Sequence, residues 1–397
     1  MLNTSAIISE YNPFHNGHKY HVEKTRELGA THMIAIMGGN FSQRGTPSIV
    51  SKWAKTEMAL SNGIDLVLEL PTLWTVATAE RFAFGAVSVA DALGCVDSIS
   101  FGSEEGNIEN LKQAARAVLS DEINLPIKQN LTKGLSYAAA RENAVAQIFG
   151  EDISKLLSSP NNILAVEYIK SLLLLNSSII PMTIQRKGIG HDDDMVYNNI
   201  ASASYIRKSI IGNEDVINIV PESVLNILKQ QNKLGFAPVD IRLLERAVLS
   251  KLRTMSIDEI SNVPDVSEGL ENRIYEAIRK SKSLEELYDN IKTKRYTHAR
   301  IRRIVLSAFL DIKGSDTSLR MPYIRVLGFN EKGREILKQA KETAKLPIIM
   351  KYSQIYSLDR GAKRVFDIEC RSTDLYALCS PKVRNCGLEM TENQIIL

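Results

Sequence analysis

The sequence predicts an α/β protein: a parallel sheet with helices on both faces, followed by a helical domain and a small C-terminal α/β region. Three observations carry this. Over the first half, short runs that are apolar almost throughout alternate with amphipathic segments, the pattern of βαβ units whose strands are buried on both faces. From about residue 213 the strands vanish and helical patterns follow one another directly. After "KGSDTS" a strand–helix–strand pattern returns. At 397 residues the chain is too long for one ordinary core, and the divisions expected are 1–212, 213–314 and 315–397.

Strands are expected at "SAIIS" (5–9), "HMIAIMGG" (32–39), "DLVLELP" (65–71), "SISFGS" (98–103) and "PMTIQRK" (181–187). Between them "GHKYHVEKTRELGA", "SKWAKTEMALSNG", "TAERFAFGAVSVADALG" and "NIENLKQAARAVLS" space their apolar residues as helices do, and so do "YAAARENAVAQIFG" and "NNILAVEYIKSLLLL". The helical domain is read from "EDVINIVPESVLNILKQQNK", "VDIRLLERAVLSKLRTMS", "EGLENRIYEAIRKSKS", "SLEELYDNIKTK" and "THARIRRIVLSAFLDIK". The last region offers "YIRVLGF", a helix "EKGREILKQAKETA", then "LPIIMK" and a weakly patterned tail.

Composition narrows the class. With 44% apolar and 24% charged residues the chain reads as a soluble globular protein. Its longest apolar stretch, "SLLLLNSSII", is broken by polar residues and is too short to span a bilayer. No basic segment followed by an apolar core opens the chain, so a cytoplasmic protein without membrane contact is expected. A net charge of +3 does not by itself demand a nucleic-acid partner. Cys95, Cys370, Cys379 and Cys386 match no zinc spacing and read as structural thiols.

The densest chemistry is "EYNPFHNGHKYH", Glu10 to His21, just past the first strand. A strand, a proline turn and a helix starting near Asn16 set backbone N–H groups and a positive helix end at the sheet's carboxyl edge. There Asn16 is expected to cap the helix and Gly17 to let a phosphate approach the backbone. His15 and His18 then face the same site, where two imidazoles suit charge developing on a phosphoryl group. A metal site is the competing reading, but His15, His18 and His21 drift around the helix and lack a fourth ligand nearby. A polar turn with two structural histidines is the third.

Other strand-end loops join this one in ligand territory. "SFGSE" puts Gly102 and Ser103 where backbone meets an adenine or ribose. "SSPNNILAVEYI" offers Asn161 and Asn162, either to read an adenine edge or simply to start a helix. "QRKGIGHDDD" offers Arg186 to a phosphate, then His191 and three aspartates, which read as a solvated loop or as neighbours of a phosphate-bound Mg²⁺. "GGNFSQRGTP" supplies Gly38, Gly39, Gln43 and Arg44, as a lid or as an ordinary connection. "SASYIRKSI" (202–210) reads as an N-capped helix with hydroxyls from Ser202 and Ser204 and charge from Arg207 and Lys208. Finally, "KTKRYTHARIRR" (292–303) carries Lys292, Lys294, Arg295, Arg300, Arg302 and Arg303 with Tyr296 interleaved and no acid. Such density is either a solvated face or a surface for a phosphate backbone.

"FHNGH" resembles the HxGH signature of the nucleotidylyltransferase and class I aminoacyl-tRNA synthetase superfamily, and "SASYIRK" resembles its second element, the helix start that holds the ATP phosphates. With "GNFSQRGTP", "DLVLELP", "FGSE", "SPNNIL", "HDD", "EGLENRI" and "KTKRYTHARIRR" in order, the chain resembles the bacterial tRNA(Met) cytidine acetate ligase family from residue 10 to beyond 300. Ser204 stands where that family commonly has threonine, and Ala165 where a glycine is expected.

The resemblance implies a Rossmann-like HxGH nucleotidylyltransferase domain over 1–212, a tRNA-contacting helical domain over 213–314, and ATP with Mg²⁺ as cosubstrate. Acetate would attack the α-phosphate of ATP, and the acetyl group would pass to the wobble cytidine of elongator tRNA(Met), giving N4-acetylcytidine, AMP and pyrophosphate. The implied catalytic residues are His15, His18, Ser204 and Arg207. The implied ATP site comprises Ile7, Ile8, Ser9, Glu10, Tyr11, Asn12, Pro13, Phe14, His15, Asn16, Gly17, His18, Lys19 and Tyr20, with Gly102, Asn161 or Asn162, Arg186 and Ser202. The implied RNA contacts are Lys292, Lys294, Arg295, Tyr296, Arg300, Arg302 and Arg303. No chain-bound metal and no protein partner is expected. The rivals are a small-molecule adenylyltransferase of the same superfamily and a non-catalytic tRNA-binding protein that keeps the pocket as a scaffold.

Overall fold

The computed structural model describes residues 2–186, 196–197, 199–267 and 269–397. Its strands are β1 (Thr4–Ser9), β2 (His32–Gly38), β3 (Leu66–Leu70), β4 (Ser98–Ser103), β5 (Ile180–Gln185), β6 (Val196–Tyr197), β7 (Ile200–Ala201), β8 (Ile324–Phe329), β9 (Ile348–Ile349) and β10 (Ile395–Ile396). The main sheet runs β10-β8-β3-β2-β1-β4-β5, with β9 also paired to β8. Strands β1 to β5 are mutually parallel. The chain moves outward from β1 through β2 to β3, then returns to place β4 on the other side of β1. This reversal opens a crevice at the carboxyl ends of β1 and β4, where open α/β sheets bind ligands.

Both faces of the sheet are buried over β1 to β3, whose strands are apolar almost throughout, while the edge strand β5 is largely half-exposed. Ala6, Ile8, Ile34, Ile36, Leu66 and Leu68 face the helices Ala79–Leu93, Ile108–Leu119 and Pro160–Leu174. Ile7, Met33, Ala35, Met37 and Val67 face the helices Asn16–Glu27 and Lys52–Leu60. The helix Glu222–Leu234, expected in the helical domain, packs Val224, Leu225, Ile227 and Leu228 into that second core.

The C-terminal region is α/β as expected, but it builds no sheet of its own. Strand β8 pairs antiparallel with β3, and β9 and β10 pair parallel with β8. The edge of β3 would otherwise present unpaired backbone groups, and a distant segment of chain closes it. Hydrophobic period reveals a strand but not which sheet it joins.

The weakly patterned tail contains a 17-residue helix, Arg360–Tyr376. It escapes the apolar period because its buried face is partly polar: Glu369, Ser372 and Thr373 are fully buried. Glu369 accepts a 2.8 Å hydrogen bond from Thr72 N–H and lies 3.2 Å from Lys52 Nζ, which also meets Glu69 at 2.5 Å and Glu389. Arg325 of β8 completes the cluster through Glu69, at 2.9 Å, and Glu389. These buried ions fasten the C-terminal helix to the sheet. Burial pushes Glu69 up to about 7, while Arg325 and Lys52 overcome burial to hold Glu389 down at about 2. The four cysteines are unpaired, and burial pushes the Cys95 thiol up to about 11 and Cys370 up to about 12. No described helix is long and apolar enough to cross a membrane.

Candidate active site

Beyond β1 the chain turns through Tyr11, at φ 45°, and the cis Asn12–Pro13 bond into the helix Asn16–Glu27. His15, not Asn16, is the N-cap. Its Nδ1 accepts from Gly17 N–H at 3.1 Å, and His18 Nδ1 accepts from His15 N–H at 3.2 Å. The two histidines thus form a reciprocal capping box with imidazoles in the places usually held by serine and glutamate. Because each Nδ1 accepts, each neutral ring carries its proton on Nε2. The rings stack with centroids 3.7 Å apart, and both line the cleft.

Two expectations change here. Asn16 Nδ2 donates to the carbonyls of Asn199 at 2.9 Å and Asn218 at 3.0 Å, tying the helix start to the chain before and after β7. Gly17 makes room for the His15 ring as well as for a ligand: a Cβ there would lie 3.0 Å from His15 Cε1. The asparagine's reach and the ring's position depend on tertiary structure, so spacing alone could not assign them.

Desolvation, then the neighbouring His15, His21 and Arg186, holds His18 well below the ordinary histidine range. Desolvation and Arg186 hold His21, which bonds Ser100 Oγ at 2.9 Å, down at about 4. His18 is therefore neutral at pH 7, a hydrogen-bond donor rather than an acid. Among the described residues no group of three His, Cys, Asp or Glu is placed to hold a metal.

Across the cleft the helix Ala203–Ile211 presents its N-terminus. Ser202 Oγ accepts from Tyr205 N–H at 3.1 Å and lies 3.0 Å from Ser204 Oγ. Arg207 Nη1 donates to the carbonyl of Asn12 at 2.9 Å, locking this helix to the histidine turn. Ser202, Ser204, Arg207, His15 and His18 line one cleft, so the two motifs that lie nearly two hundred residues apart meet.

Ile8, Ser9, Glu10, Tyr11, Asn12, Gly17, Tyr20, Gly102, Asn161 and Arg186 line the same cleft. Ile7, Pro13 and Phe14 are buried beneath it, and Lys19 is exposed, 3.9 Å from Glu23. Asn162 is a structural latch: its Oδ1 accepts from Glu104 N–H at 3.0 Å and Glu105 N–H at 3.1 Å, while Glu104 accepts from Asn162 N–H at 2.9 Å. Glu104 also accepts from Asn161 Nδ2 at 2.6 Å. The acidic residue after "FGS" was the available signal for this latch. Lys187, His191 and the three aspartates lie outside the described residues.

The wall also includes Gln43, Arg44, Phe82, Phe101, Leu164 and Tyr168. Phe82, Phe101, Leu164 and Tyr168 keep the spacing of ordinary core positions, so sequence could not single them out. Gly45 packs on the basic helix His298–Phe309; a Cβ there would lie 2.6 Å from the Arg302 carbonyl carbon. The "GGNFSQRGTP" loop therefore bridges the cleft and the basic segment.

Within that segment Lys292 and Lys294 are exposed, Arg295 and Arg302 are half-buried, and Tyr296 is buried. Arg300 stacks 5.1 Å from the Tyr296 ring centre and donates to the Asp265 carbonyl at 2.8 Å. Arg303 lies 3.5 Å from the Asp265 carboxylate. Arg300 and Arg303 thus share a face, as their spacing predicts, and that face holds the Asp265 turn.

A 3-2-1-4-5 parallel sheet, a paired-histidine turn at the end of β1 and a serine-capped, arginine-bearing helix opposite it define a nucleotidyl transferase. Comparison with known proteins agrees: residues 2–390 match the HIGH Nucleotidyl Transferase family. The chain is 40% identical to the tRNA(Met) cytidine acetate ligase of Acetivibrio thermocellus over 99% of each chain, and 44% identical to that of Caldanaerobacter subterraneus subsp. tengcongensis over 94% of each. Crystal structures of Thermotoga maritima TmcAL, apo and bound with alpha-thio ATP, superpose with TM-scores of 0.96 and 0.94 at 35% identity over 100% of both chains. The chain belongs to the tRNA(Met) cytidine acetate ligase family.

Proposed function

We propose that the chain activates acetate with ATP and transfers the acetyl group to the wobble cytidine of elongator tRNA(Met) in the cytoplasm. The observation that carries this is the meeting of two helix N-termini and two stacked histidines in one cleft, beside a loop that packs on the basic segment.

Two helix ends and Arg207 suit a polyphosphate, which enters as its Mg²⁺ complex. The Nε2–H groups of His15 and His18 donate to the α-phosphate oxygens as that phosphorus becomes five-coordinate. Donors aimed at charge that develops only in the transition state raise the rate without tightening the ground state. Ser202, Ser204 and Arg207 hold the β- and γ-phosphates, so pyrophosphate departs without reorganising the site. Lys292 and Lys294, exposed on the approach to the basic helix, meet the RNA backbone.

The test of activation is exchange of labelled pyrophosphate into ATP, with acetate as the variable. Exchange that requires acetate supports the reading. Exchange that ignores acetate and requires a phosphorylated small molecule makes the chain a cofactor-type adenylyltransferase, and no exchange at all makes it a binding scaffold.

A further inference from the structure

Glu10 stands at the carboxyl end of β1, one residue before the turn that carries the histidines, yet its carboxylate takes part in neither helix cap. Its Oε1 accepts from Gln43 N–H at 2.6 Å, and among the described residues Oε2 has no hydrogen-bond partner. The residue is anchored through its backbone as well. Lys55 Nζ, fully buried, donates to the Glu10 carbonyl at 3.0 Å, to those of Gly38 and Gly39 at 2.8 and 2.7 Å, and to Ser48 Oγ at 3.1 Å. A carboxylate oxygen is thus held at the cleft wall and left open to a ligand.

Its neighbours suit a base rather than a phosphate. Phe82, Phe101 and Tyr168 line the same cleft, with the Phe101 and Tyr168 rings 5.7 Å apart. An apolar rim beside a hydrogen-bond acceptor suits the edge of a base, and a carboxylate repels phosphate. The Gln43 to Gly45 strap runs from Glu10 directly to the backbone of the basic helix.

We propose that Glu10 receives the acceptor cytidine: its carboxylate accepts a hydrogen bond from the exocyclic N4 amine and takes a proton from it during acetyl transfer. This rests on the acetate-ligase reading above. N4 attacks the acetyl carbon and forms the C–N bond. The bond from that carbon to the phosphate oxygen breaks, AMP leaves with the electron pair, and the N4 proton passes to Glu10 and then to water. The cytosine amine needs this help because its lone pair is delocalised into the ring. The same carboxylate disfavours uridine, which offers an acceptor oxygen at that position.

The test separates the two half-reactions in Glu10→Gln, with hydroxylamine trapping acetyl-adenylate as acetyl hydroxamate and nucleoside mass analysis counting acetylcytidine. Hydroxylamine is a strong nucleophile that needs no base. The ratio of acetylcytidine to hydroxamate formation is expected to fall on the order of 100-fold, the usual contribution of a positioned base. Glu10→Asp, which keeps a carboxylate on a shorter arm, is expected to recover at least a tenth of that ratio. An unchanged ratio in Glu10→Gln overturns the proposal. So does an equal loss of both products in Glu10→Gln and Glu10→Asp, which would place Glu10 in adenylation or folding. If the wild-type protein forms no hydroxamate from ATP and acetate, the acetate-ligase reading itself fails.

Discussion

Replacing His18 with alanine removes two hydrogen-bonding functions of one ring. On the protein side, Nδ1 no longer accepts the His15 N–H that it meets at 3.2 Å, so one arm of the capping box is lost. Losses of this kind cost about 1 kcal/mol of stability. On the ligand side, the proposed mechanism loses the Nε2–H donor to the α-phosphate in a desolvated site. Removing one donor to a developing oxyanion costs about 2.7–4 kcal/mol, or roughly 10²- to 10³-fold in kcat. The proposed mechanism makes that donation only in the transition state, so the loss is expected in kcat rather than in KM for ATP. Acetate-dependent pyrophosphate exchange reads the lost catalysis, and urea unfolding reads the lost cap. Exchange within fivefold of wild type, with the stability loss intact, would make His18 a helix cap and nothing more.

Three further outcomes are expected. In Gly17→Ala the new Cβ lies 3.0 Å from His15 Cε1 and 3.1 Å from Nδ1, so the imidazole must shift. Exchange should fall at least about tenfold while urea stability holds or rises, since alanine is favoured over glycine in helices by roughly 0.5–1 kcal/mol; unchanged exchange would show that ring position is not critical. Lys52→Met leaves the buried Glu369 without its cation and Glu69 and Glu389 to share Arg325 alone. A loss of about 3–5 kcal/mol in urea unfolding is expected, and a neutral result would contradict the cluster's role. His21 is held at about 4, below its ordinary value, so between pH 6.5 and 4 the unfolded chain binds a proton that the folded chain does not. Its contribution is fully present above pH 6.5 and is lost as pH falls towards 4, by up to about 3 kcal/mol. His21→Gln should therefore flatten stability against pH in that window, and an unchanged slope would refute the assignment.

The sheet and the histidine turn were legible because both follow local rules. Strands buried on both faces are apolar throughout, and a histidine, asparagine and glycine run after a strand marks a helix start at a ligand edge. What was hidden depended on distant partners. Lys52 and Lys55 stand three apart in "SKWAKTEMALSNG", a segment legible only as a helix, and both are fully buried. One neutralises carboxylates from three separate segments, and the other gathers carbonyls from the ends of β1 and β2. The helix Arg360–Tyr376 was invisible for the complementary reason: Glu369 meets Lys52, Thr373 accepts from Asn40 Nδ2 and donates to Glu389, and both break its apolar stripe. The basic segment was legible as charge and as a helix, but not in what its arginines hold. Arg300 and Arg303 hold the Asp265 turn, so reversing their charge should disturb that turn as well as any RNA contact.

The reaction that most needs direct observation is the transfer of acetate to a cytidine in tRNA. The measurement incubates the protein with ATP, ¹³C-labelled acetate and unmodified elongator tRNA(Met), then digests the tRNA and weighs its nucleosides. A labelled acetylcytidine is expected, confined to the wobble position and formed only when ATP and acetate are both present. Labelled AMP adducts without labelled nucleoside, or an unlabelled tRNA, would contradict the proposed activity.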